Sequence, residues 1–561
     1  MDFTPEALVK LYQAAQQLRM PYEQDWRLAA RFMASPDYHM WTGVGGGLAD
    51  GVNAGSAARS ARQMQFDSTL PRALPKFVAI LEQICTPAMH TWHQLGPSNP
   101  ELKKIRAVRE YFSSLTDIMF RQRYQPRARF AITQQASYRA LGLYGTSAKF
   151  ITKMTPYGVR KEKSLNYRNI PLACLFAVPG VDGHLDLVFR RCDMNAREAA
   201  GMFPNTALPE PIQTELKKPT PSEDRMFHIF HAVGINKAFD DNALDERKWP
   251  WLSMYVFHDT KQRIGDIEGY RTCPIIIPRI GEVGRVFGTS PAQEALASIG
   301  LLNAAKKTQI KHAQRTADPP LIAHDDGIMS RIDQKPGAVN FGGVDAQGRK
   351  LIDILPTGDF RPADELIKAE TAAVNDSFLV HLFQILVETP QMTATEFLGR
   401  AQEKAALLAP FMGMLQSNDL APMIDREIDV LHDLNLLPEM PPELREAQGE
   451  YQISYTTPDA LARGSEGITN FFRMVDLGTN VAKATGDASH LDVFDFEAAF
   501  QDIGDRMTVP PTWLRTKDEI EGMRGKRQEM QGMQQAVDAA PGLAQAAKTA
   551  GLLGGGDKQA A

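Results

Sequence analysis

Two short stretches rich in histidine and aspartate are the places where this sequence could bind a metal ion. They are "HDD" at 324–326 and "HLDVFD" at 490–495. Neither stretch has the ligand spacing of a known zinc site, and the four cysteines include no CxxC pair. We therefore interpret both stretches as surface-loop residues or helix caps, and we expect neither a metal ion nor a cofactor.

A glycine-rich stretch, "WTGVGGGLADGVNAGSAARSA" at 41–61, could cradle a phosphate group through its backbone N–H groups. A phosphate-binding loop of that kind needs a preceding strand and a following Gly-Lys-Ser/Thr, and both are missing. The sequence also lacks the GxSxG, HExxH and Walker A motifs of common hydrolases and ATPases. We predict a surface loop here and no catalytic residue, and a metal-dependent enzyme is kept only as an alternative.

Four cations lie close together near the middle of the chain, at Lys306, Lys307, Lys311 and Arg315. The last three are spaced i, i+4 and i+8, which places them on one face of a helix. This face is either an ordinary solvated surface or a contact for nucleic-acid phosphates. The chain has 62 basic and 67 acidic residues, so it lacks the basic excess of a protein that grips nucleic acid tightly.

The overall composition predicts an ordinary folded protein with several subdomains. The chain has 561 residues, of which 43% are hydrophobic and 23% charged. No apolar run approaches the roughly 20 residues that a bilayer crossing needs. Because the polar, amphipathic start "MDFTPEALVKLYQ" does not have the pattern of a signal peptide, we expect synthesis in a cytoplasm and no membrane partner.

The elements that must position these residues change character at the middle of the chain. Helical periodicity predicts two helical pieces over 4–33, followed by helices at 70–86 and 104–143. Strands are predicted at 170–191, as a hairpin around Asp182-Gly183, and at 251–259 and 273–280.

The sharpest local signal is the switch from strand to helix at "GTSPAQ". Ser290 at N-cap, Pro291 at N1 and Gln293 at N3 form a capping box with its favoured proline. The helix that starts here is predicted to run to about Thr316, and its apolar face is thin and rich in alanine.

The second half of the chain is predicted to be mainly helical. A Pro/Gly-punctuated insert with short strands occupies 317–359, and a helix follows from Pro362. "VETPQM" breaks the helical pattern, a capping box at Thr393 restarts it, and helix continues to Asn435 with kinks at Pro410 and Pro422. The fold class is therefore α+β, mainly helical.

This order of elements, and four stretches within it, resemble the portal proteins, the head-to-tail connectors of short-tailed phages related to the T7-like viruses. The resemblance covers nearly the whole chain. Phe287 stands where the family commonly has Tyr, and Ile280 near a position that is often Trp; both changes are apolar for apolar. The four stretches are "FDSTLPRALPKFVAILEQICTPAMHTWHQL" at 66–95, "LYGTSAKFI" at 143–151, "YRTCPIIIPRIGEVGRVFGTSPAQEALASIGLLN" at 270–303 and "MTATEFLGRAQEKAALLAP" at 392–410.

The resemblance implies a portal fold with wing, stem, clip and crown, assembled as a ring of twelve subunits. Its parts would be a wing at 1–288, a first stem helix at 289–316, a clip at 317–360, a second stem helix at 361–385, a tunnel loop at 386–396, a long kinked wing helix at 397–450 and a crown at 451–540. The Ala/Gly-rich end, 541–561, predicts a disordered tail.

The resemblance also implies a role for each of the candidate residues. Double-stranded DNA would pass without sequence specificity, and a tunnel that lets duplex slide should carry few cations. Terminase would dock on the clip during packaging and a tail adaptor afterwards, and capsid and internal core or scaffold proteins are further expected partners at the capsid vertex of the virion. Residues near DNA would be Gln391, Met392 and Thr393 in the tunnel loop and Lys306, Lys307, Lys311 and Arg315 on the stem; Ser290, Pro291 and Gln293 would cap the helix at the junction of wing and stem.

Another virion structural protein, such as a coat or tail subunit, is the main alternative. The order helix, clip, helix, loop and kinked helix favours the portal, because a coat protein would not need it. The absence of a Walker A motif argues against the packaging ATPase itself.

Overall fold

The computed structural model describes residues 3–33, 41, 62–154, 163–181, 183–204, 206–240, 245–281, 286–323, 361–380, 411–446, 449–455 and 458–485, with parts of 333–356 and 493–531. Contacts divide the chain into two compact units. The first consists of Met1–Trp92 and Ile118–Leu437, and the second of His93–Asp117 and Pro438–Ala561. Residues 93–117, which lie within the predicted wing range 1–288, group with the C-terminal part.

The described residues confirm an α+β fold that is mainly helical. The helices are α1 Pro5–Phe32, α2 Thr69–Cys85, α3 Arg106–Arg123, α4 Phe130–Tyr144, α5 Ala196–Met202, α6 Glu210–Leu216, α7 Pro291–Glu294, α8 Leu296–Ala317, α9 Arg361–Ser377, α10 Ala421–Asp433, α11 Pro442–Glu446 and α12 Pro458–Thr485.

The strands form small antiparallel sheets. They are β1 His93–Pro97, β2 Lys149–Lys153, β3 Leu165–Asn169, β4 Leu175–Pro179, β5 Leu185–Arg191, β6 Ile229–Ile235, β7 Trp251–Phe257, β8 Gln262–Tyr270, β9 Ile275–Ile276, β10 Leu321–Ala323, β11 Ile352–Ile354 and β12 Tyr451–Tyr455. In the first unit, the sheet orders are β4-β5-β6-β7-β8, β3-β2-β9 and β10-β11. The predicted hairpin at 170–191 is confirmed as β4 and β5, with Gly183 at φ 78° in its turn.

The five-stranded sheet is covered on both faces, which explains why β6 is buried along nearly its whole length. Side chains alternate across a strand, so Phe230 packs toward α1 while Ile229 packs toward α5 and α6. On the α1 face, Tyr12 stacks on Phe230 with ring centroids 4.9 Å apart. The sheet is therefore the platform on which α1, α5 and α6 pack.

Helix α1 is one continuous helix, so the prediction of two pieces over 4–33 is wrong. Pro21 lies in its interior and removes one backbone hydrogen bond. The helix continues because tertiary contacts fix it on both sides of the proline. Tyr12 packs into the sheet before it, and the indole Nε1–H of Trp26 donates to the carbonyl of Tyr144 at 3.1 Å after it.

The helices around the predicted clip differ in detail from expectation. Helix α9 ends at Ser377, short of the predicted 385, because Leu379 adopts a left-handed backbone conformation at φ 57°. Between α8 and α9, β10 and β11 pair as a two-stranded antiparallel hairpin. The short strands that the sequence predicts in this insert are therefore present.

The predicted kink at Pro422 coincides with a π-turn, Gln416–Leu420, directly before α10. There the N–H of Ala421 donates to the carbonyl of Gln416, five residues earlier. Proline fits at this point because the first turn of a helix does not need its N–H.

The second unit is held by one sheet and carries a long helix. Strand β1 pairs antiparallel with β12, from His93 opposite Tyr455 to Pro97 opposite Tyr451. The N–H of Leu95 donates to Oγ1 of Thr116 on α3. On α12, Phe471 packs edge-on against Phe494 and Phe496.

Candidate functional site

The strand-to-helix switch in the middle of the chain contains a complete capping box. Oγ of Ser290 accepts from the N–H of Gln293 at 3.0 Å, and Oε1 of Gln293 accepts from the N–H of Ser290 at 2.8 Å. Ser290 also donates its hydroxyl proton to the carbonyl of Leu143 at 3.0 Å and is fully buried. The cap therefore starts α7 and at the same time ties it to the end of α4.

Two Gly-Thr-Ser turns, 145–147 and 288–290, lie against each other at this switch. The N–H of Gly288 donates to Oγ1 of Thr146 at 2.8 Å, and the N–H of Ile280 donates to the carbonyl of Gly145 at 2.9 Å. Both glycines are required by close approach of the backbones. A Cβ on Gly145 would lie 2.5 Å from the carbonyl carbon of Thr289, and one on Gly288 would lie 2.3 Å from the carbonyl oxygen of Ile280. We call the two turns together the Gly-Thr-Ser clamp.

An aromatic cluster supports the clamp from the α1 side. Phe287 is fully buried and packs edge-on against Trp26 and Tyr22, with centroid distances of 5.0 and 5.3 Å. The direction in which α7 and α8 leave the clamp is therefore fixed by hydrogen bonds on one side and by aromatic packing on the other.

The helix after the clamp is broken once, near its start. The capping box begins α7, which ends at Glu294, and α8 continues from Leu296 to Ala317 with Ala295 as the joint. The predicted end near Thr316 is therefore confirmed to within a residue. Ile299 and Leu302 are buried, while Ile310, on the same predicted apolar face, is exposed.

Helices α8 and α9 pack together as a pair with few buried side chains. Ile299 and Leu302 of α8, and Ile367 and Val374 of α9, are buried. Farther along, the side-chain amide of Gln309 donates to Oδ1 of Asp364 at 2.9 Å. Other apolar side chains of the pair remain exposed, namely Leu301, Ile310 and Leu366.

The four cations of α8 do not have equivalent surroundings. Lys306 donates to Oε1 of Gln309 at 3.1 Å, and the ammonium of Lys307 lies 5.4 Å from the ring centre of Phe66. Lys311 and Arg315 are exposed, and none of the four forms an ion pair with an acidic side chain among the described residues. Lys307 therefore contacts the segment before α2, and the stripe that it shares with Lys311 and Arg315 faces solvent beyond that contact.

Asn303 of α8 ties this helix to the segment before α2, and sequence reasoning missed it. Its Oδ1 accepts from the N–H groups of Phe66 and Asp67 at 2.7 and 3.2 Å, and its Nδ2 donates to the carbonyl of Met64 at 3.1 Å. A side-chain amide has both a donor and an acceptor, so it can form hydrogen bonds with the N–H and C=O groups of a neighbouring backbone segment. A single asparagine in an otherwise alanine-rich helix is the signal that could have drawn attention to it.

A buried ionic triad beneath the π-turn was also missed. Asp419 pairs with Lys149 and accepts from Nε2 of Gln134 at 3.0 Å, while Nζ of Lys149 donates to Oε1 of Gln134 at 2.7 Å. All three side chains are buried, and burial raises the pKa of neighbouring Cys85 to about 12. A second buried pair joins Arg123 to Glu427. These pairs connect residues far apart in the sequence, so no local sequence pattern predicts them.

Several predicted site residues lie outside the described part of the chain. These are the tunnel-loop residues Gln391, Met392 and Thr393, the "HDD" stretch and most of the glycine-rich loop at 41–61. Among the residues that are described, no group of three or more metal-ligating side chains occurs. Within the same part of the chain, no helix is both long and apolar enough to cross a bilayer.

A family model described as bacteriophage head to tail connecting protein matches residues 6–514. The chain therefore belongs to the family of bacteriophage head-to-tail connecting proteins.

Individual relatives agree with this assignment. The chain is 24% identical over 506 residues to a probable portal protein of Bordetella phage BPP-1, covering 88% of this chain and 86% of that protein. It is 24% identical over 430 residues to a portal protein of Salmonella phage epsilon15, covering 73% of each. A solved chain from the virion of a native gene transfer agent particle shows 12% identity and a TM-score of 0.35, covering 73% of this chain and 85% of that one, too low a score for an argument.

Proposed function

We propose that this chain is the portal of a phage capsid, a homo-oligomeric ring of twelve subunits through which double-stranded DNA enters and leaves. The match to the connector family over residues 6–514 supports the class of function. In this proposal the protein is structural, without cofactor or catalytic residue, and it is made in the host cytoplasm before it occupies one capsid vertex.

The observation that carries ring formation is the exposed apolar surface of the α8–α9 pair. Few side chains are buried between the two helices. Leu301, Ile310 and Leu366 are each more than two-fifths exposed. Identical neighbours around a closed axis would bury this surface, and the alanines of α8 would let the helices approach closely. Light scattering on the purified chain should give a mass near 750 kDa, about twelve times 62.2 kDa. A folded monomer at micromolar concentration would contradict the proposal.

The stem cations act on passing DNA only through charge. A sliding duplex is held more tightly by every added phosphate contact, so a conduit is expected to carry few cations. Lys311 and Arg315 are exposed at the far end of α8 from the clamp, and Lys306 and Lys307 lie nearer to it. Such contacts position DNA without reading its sequence.

The tunnel loop, residues 386–396, is proposed to protrude into the channel between the second stem helix and the kinked helix. Gln391, Met392 and Thr393 would then be nearest the DNA, and none of them is cationic. The test is Met392→Cys labelled with a bulky maleimide in assembled rings. Blocked DNA passage with the ring intact is expected, whereas normal packaging and release by labelled rings would place the loop elsewhere.

The clip is proposed to dock terminase during packaging and the tail adaptor afterwards. Among the described residues, β10 and β11 pair only with each other, and Ile322, Ile354 and Leu355 are exposed. Open, apolar edges are ready to pair with another chain. Deleting 322–352 should leave the first unit folded and abolish adaptor binding, while adaptor binding that survives would move the docking surface. Capsid and internal core or scaffold proteins complete the proposed partners.

A further inference from the structure

Two histidines stand directly opposite each other at one end of the β6–β7 pair. The register pairs Ile229 with Phe257, so the next step along the ladder places His228 opposite His258. The N–H of His258 donates to the carbonyl of His228 at 2.9 Å, which confirms this pairing. Residues directly opposite in an antiparallel pair have Cβ atoms about 5 Å apart and side chains on the same face.

Both imidazoles open into the same cleft. A cavity of about 500 Å³ lies between α1 and the sheet, and His228 and His258 line it together with Tyr12, Glu23 and Arg191. The alternation of β6 and β7 accounts for this, because Phe230 and Val256, two residues away, also face α1. The two histidine side chains are 47% and 37% exposed, so small solutes can reach them.

The same nitrogen of each ring is directed at a carboxylate. Nδ1 of His228 lies 3.2 Å from Oδ1 of Asp193, a buried residue whose other oxygen faces Nε of Arg191 at 3.3 Å. Nδ1 of His258 lies 3.5 Å from Oδ1 of Asp259. A carboxylate at Nδ1 favours the tautomer with its proton there, which leaves the lone pair on Nε2. Among the described residues, neither Nε2 has a hydrogen-bond partner.

The charges around the cleft do not prevent a cation from binding. Arg19 donates hydrogen bonds to the carbonyls of Ala173 and Leu175 and forms an ion pair with Glu23. Arg27 pairs with the same Glu23, and Arg191 faces Asp193. Each of these cations therefore has a carboxylate partner, with Glu23 shared by Arg19 and Arg27, while the two Nε2 atoms remain available as ligands.

We propose that His228 and His258 form a two-histidine chelate for a divalent transition-metal ion such as Zn²⁺, Ni²⁺ or Cu²⁺. Imidazole nitrogen is a preferred ligand of these ions, with Zn–N distances of about 2.0–2.1 Å. The Cβ atoms of directly opposite residues lie about 5 Å apart on one face of the sheet, so we infer that both Nε2 atoms can reach one ion. Since no cluster of three ligating side chains occurs among the described residues, water or a group entering the cleft fills the other positions.

The first test is titration of the whole chain with Zn²⁺ or Ni²⁺, followed by calorimetry and by the melting temperature. One saturable site per chain is expected, with a rise in melting temperature on binding. The double variant His228→Gln, His258→Gln should lose both effects. His184→Gln, which removes an exposed histidine from the β4–β5 turn, should keep them. No saturable site in the wild type, or equal binding by the double variant, would overturn the proposal.

Cu²⁺ electron paramagnetic resonance distinguishes chelation from a merely structural role of the two histidines. The wild type should show two coordinating imidazole nitrogens, and each single glutamine variant should show one. If the double variant does not fold, diethyl pyrocarbonate labelling of the wild type replaces it. Zn²⁺ should protect His228 and His258, but not His184, from modification, and equal labelling with and without Zn²⁺ would contradict the site.

Discussion

The backbone N–H of Gly288 donates to Oγ1 of Thr146 at 2.8 Å, across 142 positions of sequence. This bond joins two Gly-Thr-Ser turns, one at the end of α4 and one at the start of α7. Because Ser290 in the second turn also caps the helix, the clamp fixes both where the helix begins and how it leaves the sheet platform. Helices that must pack against identical neighbours need this kind of fixed start.

Removing the cap should weaken the clamp measurably. Ser290→Ala removes the acceptor for the N–H of Gln293 and the donor to the carbonyl of Leu143. We expect the free energy of unfolding, measured with urea, to fall by about 1–2 kcal/mol, since caps contribute about 1 kcal/mol and a buried acceptor is also left unpaired. Thr308→Ala, which removes an exposed hydroxyl from α8, is the control and should change stability by less than about 0.5 kcal/mol. Equal losses in both variants would count against the clamp.

Alanine substitution should destabilise the protein at Gly288 and stabilise it at Gly300. Gly288→Ala would place a Cβ 2.3 Å from the carbonyl oxygen of Ile280 and 2.4 Å from that of Gly145, so backbone must move. We expect a strongly lowered melting temperature or loss of soluble protein. Gly300→Ala lies within α8 with its nearest neighbour, Phe32, 3.9 Å from the new Cβ, and should stabilise by up to about 1 kcal/mol. A tolerated Gly288→Ala would show that the two turns are not in close contact.

Changing the stem cations tests whether they act on DNA. The triple variant Lys307→Gln, Lys311→Gln, Arg315→Gln should assemble normally but alter the packaging yield or the retention of DNA. A matched control, Lys10→Gln, Lys76→Gln, Lys237→Gln, removes the same charge from exposed positions elsewhere in the first unit. If both triple variants package and retain DNA like the wild type, the stripe on α8 is an ordinary solvated face.

Acid stability should depend on Glu215. Its carboxylate accepts from Nζ of Lys218, Nη1 of Arg225 and the N–H of Ser222, and these bonds, that from Lys218 first, lower the pKa of Glu215 to about 2. A lowered pKa stabilises the folded state above the ordinary value near 4.5, and this contribution is lost as the pH falls from 4.5 toward 2. Glu215→Gln should therefore melt below the wild type at pH 7, and the difference should shrink below pH 4. A constant difference across this range would contradict the assignment.

The sequence predicted correctly those features that depend only on residues close together along the chain. The capping box at Ser290 needs only residues three apart, and the strands of the β4–β5 hairpin flank a turn glycine, so both could be predicted. Helical periodicity wrongly predicted two pieces over 4–33, because a pattern of apolar residues does not show what holds the helix on either side of Pro21. In the folded chain, packing of Tyr12 and Trp26 on either side of it keeps α1 continuous.

Other contacts at the candidate site join residues far apart in the sequence, and no local sequence pattern predicts them. Asn303 reaches Phe66 across 237 positions, and Lys149 pairs with Asp419 from the other half of the chain. A sequence shows that such residues are polar and in helices or strands, but the partner is set by how the elements pack. The premature end of α9 at Ser377 is similar, since nothing in "VNDSFLVH" requires a left-handed Leu379.

Cryo-electron microscopy of the assembled protein would show whether the chain forms a portal ring. We expect a closed ring with a central hole, lined by α8 and α9, with Lys311 and Arg315 on or beside the channel wall. The same map would locate residues 386–396 relative to the axis. An assembly without a central hole, or a hole lined by elements other than α8 and α9, would show that the chain is not a portal built in this way.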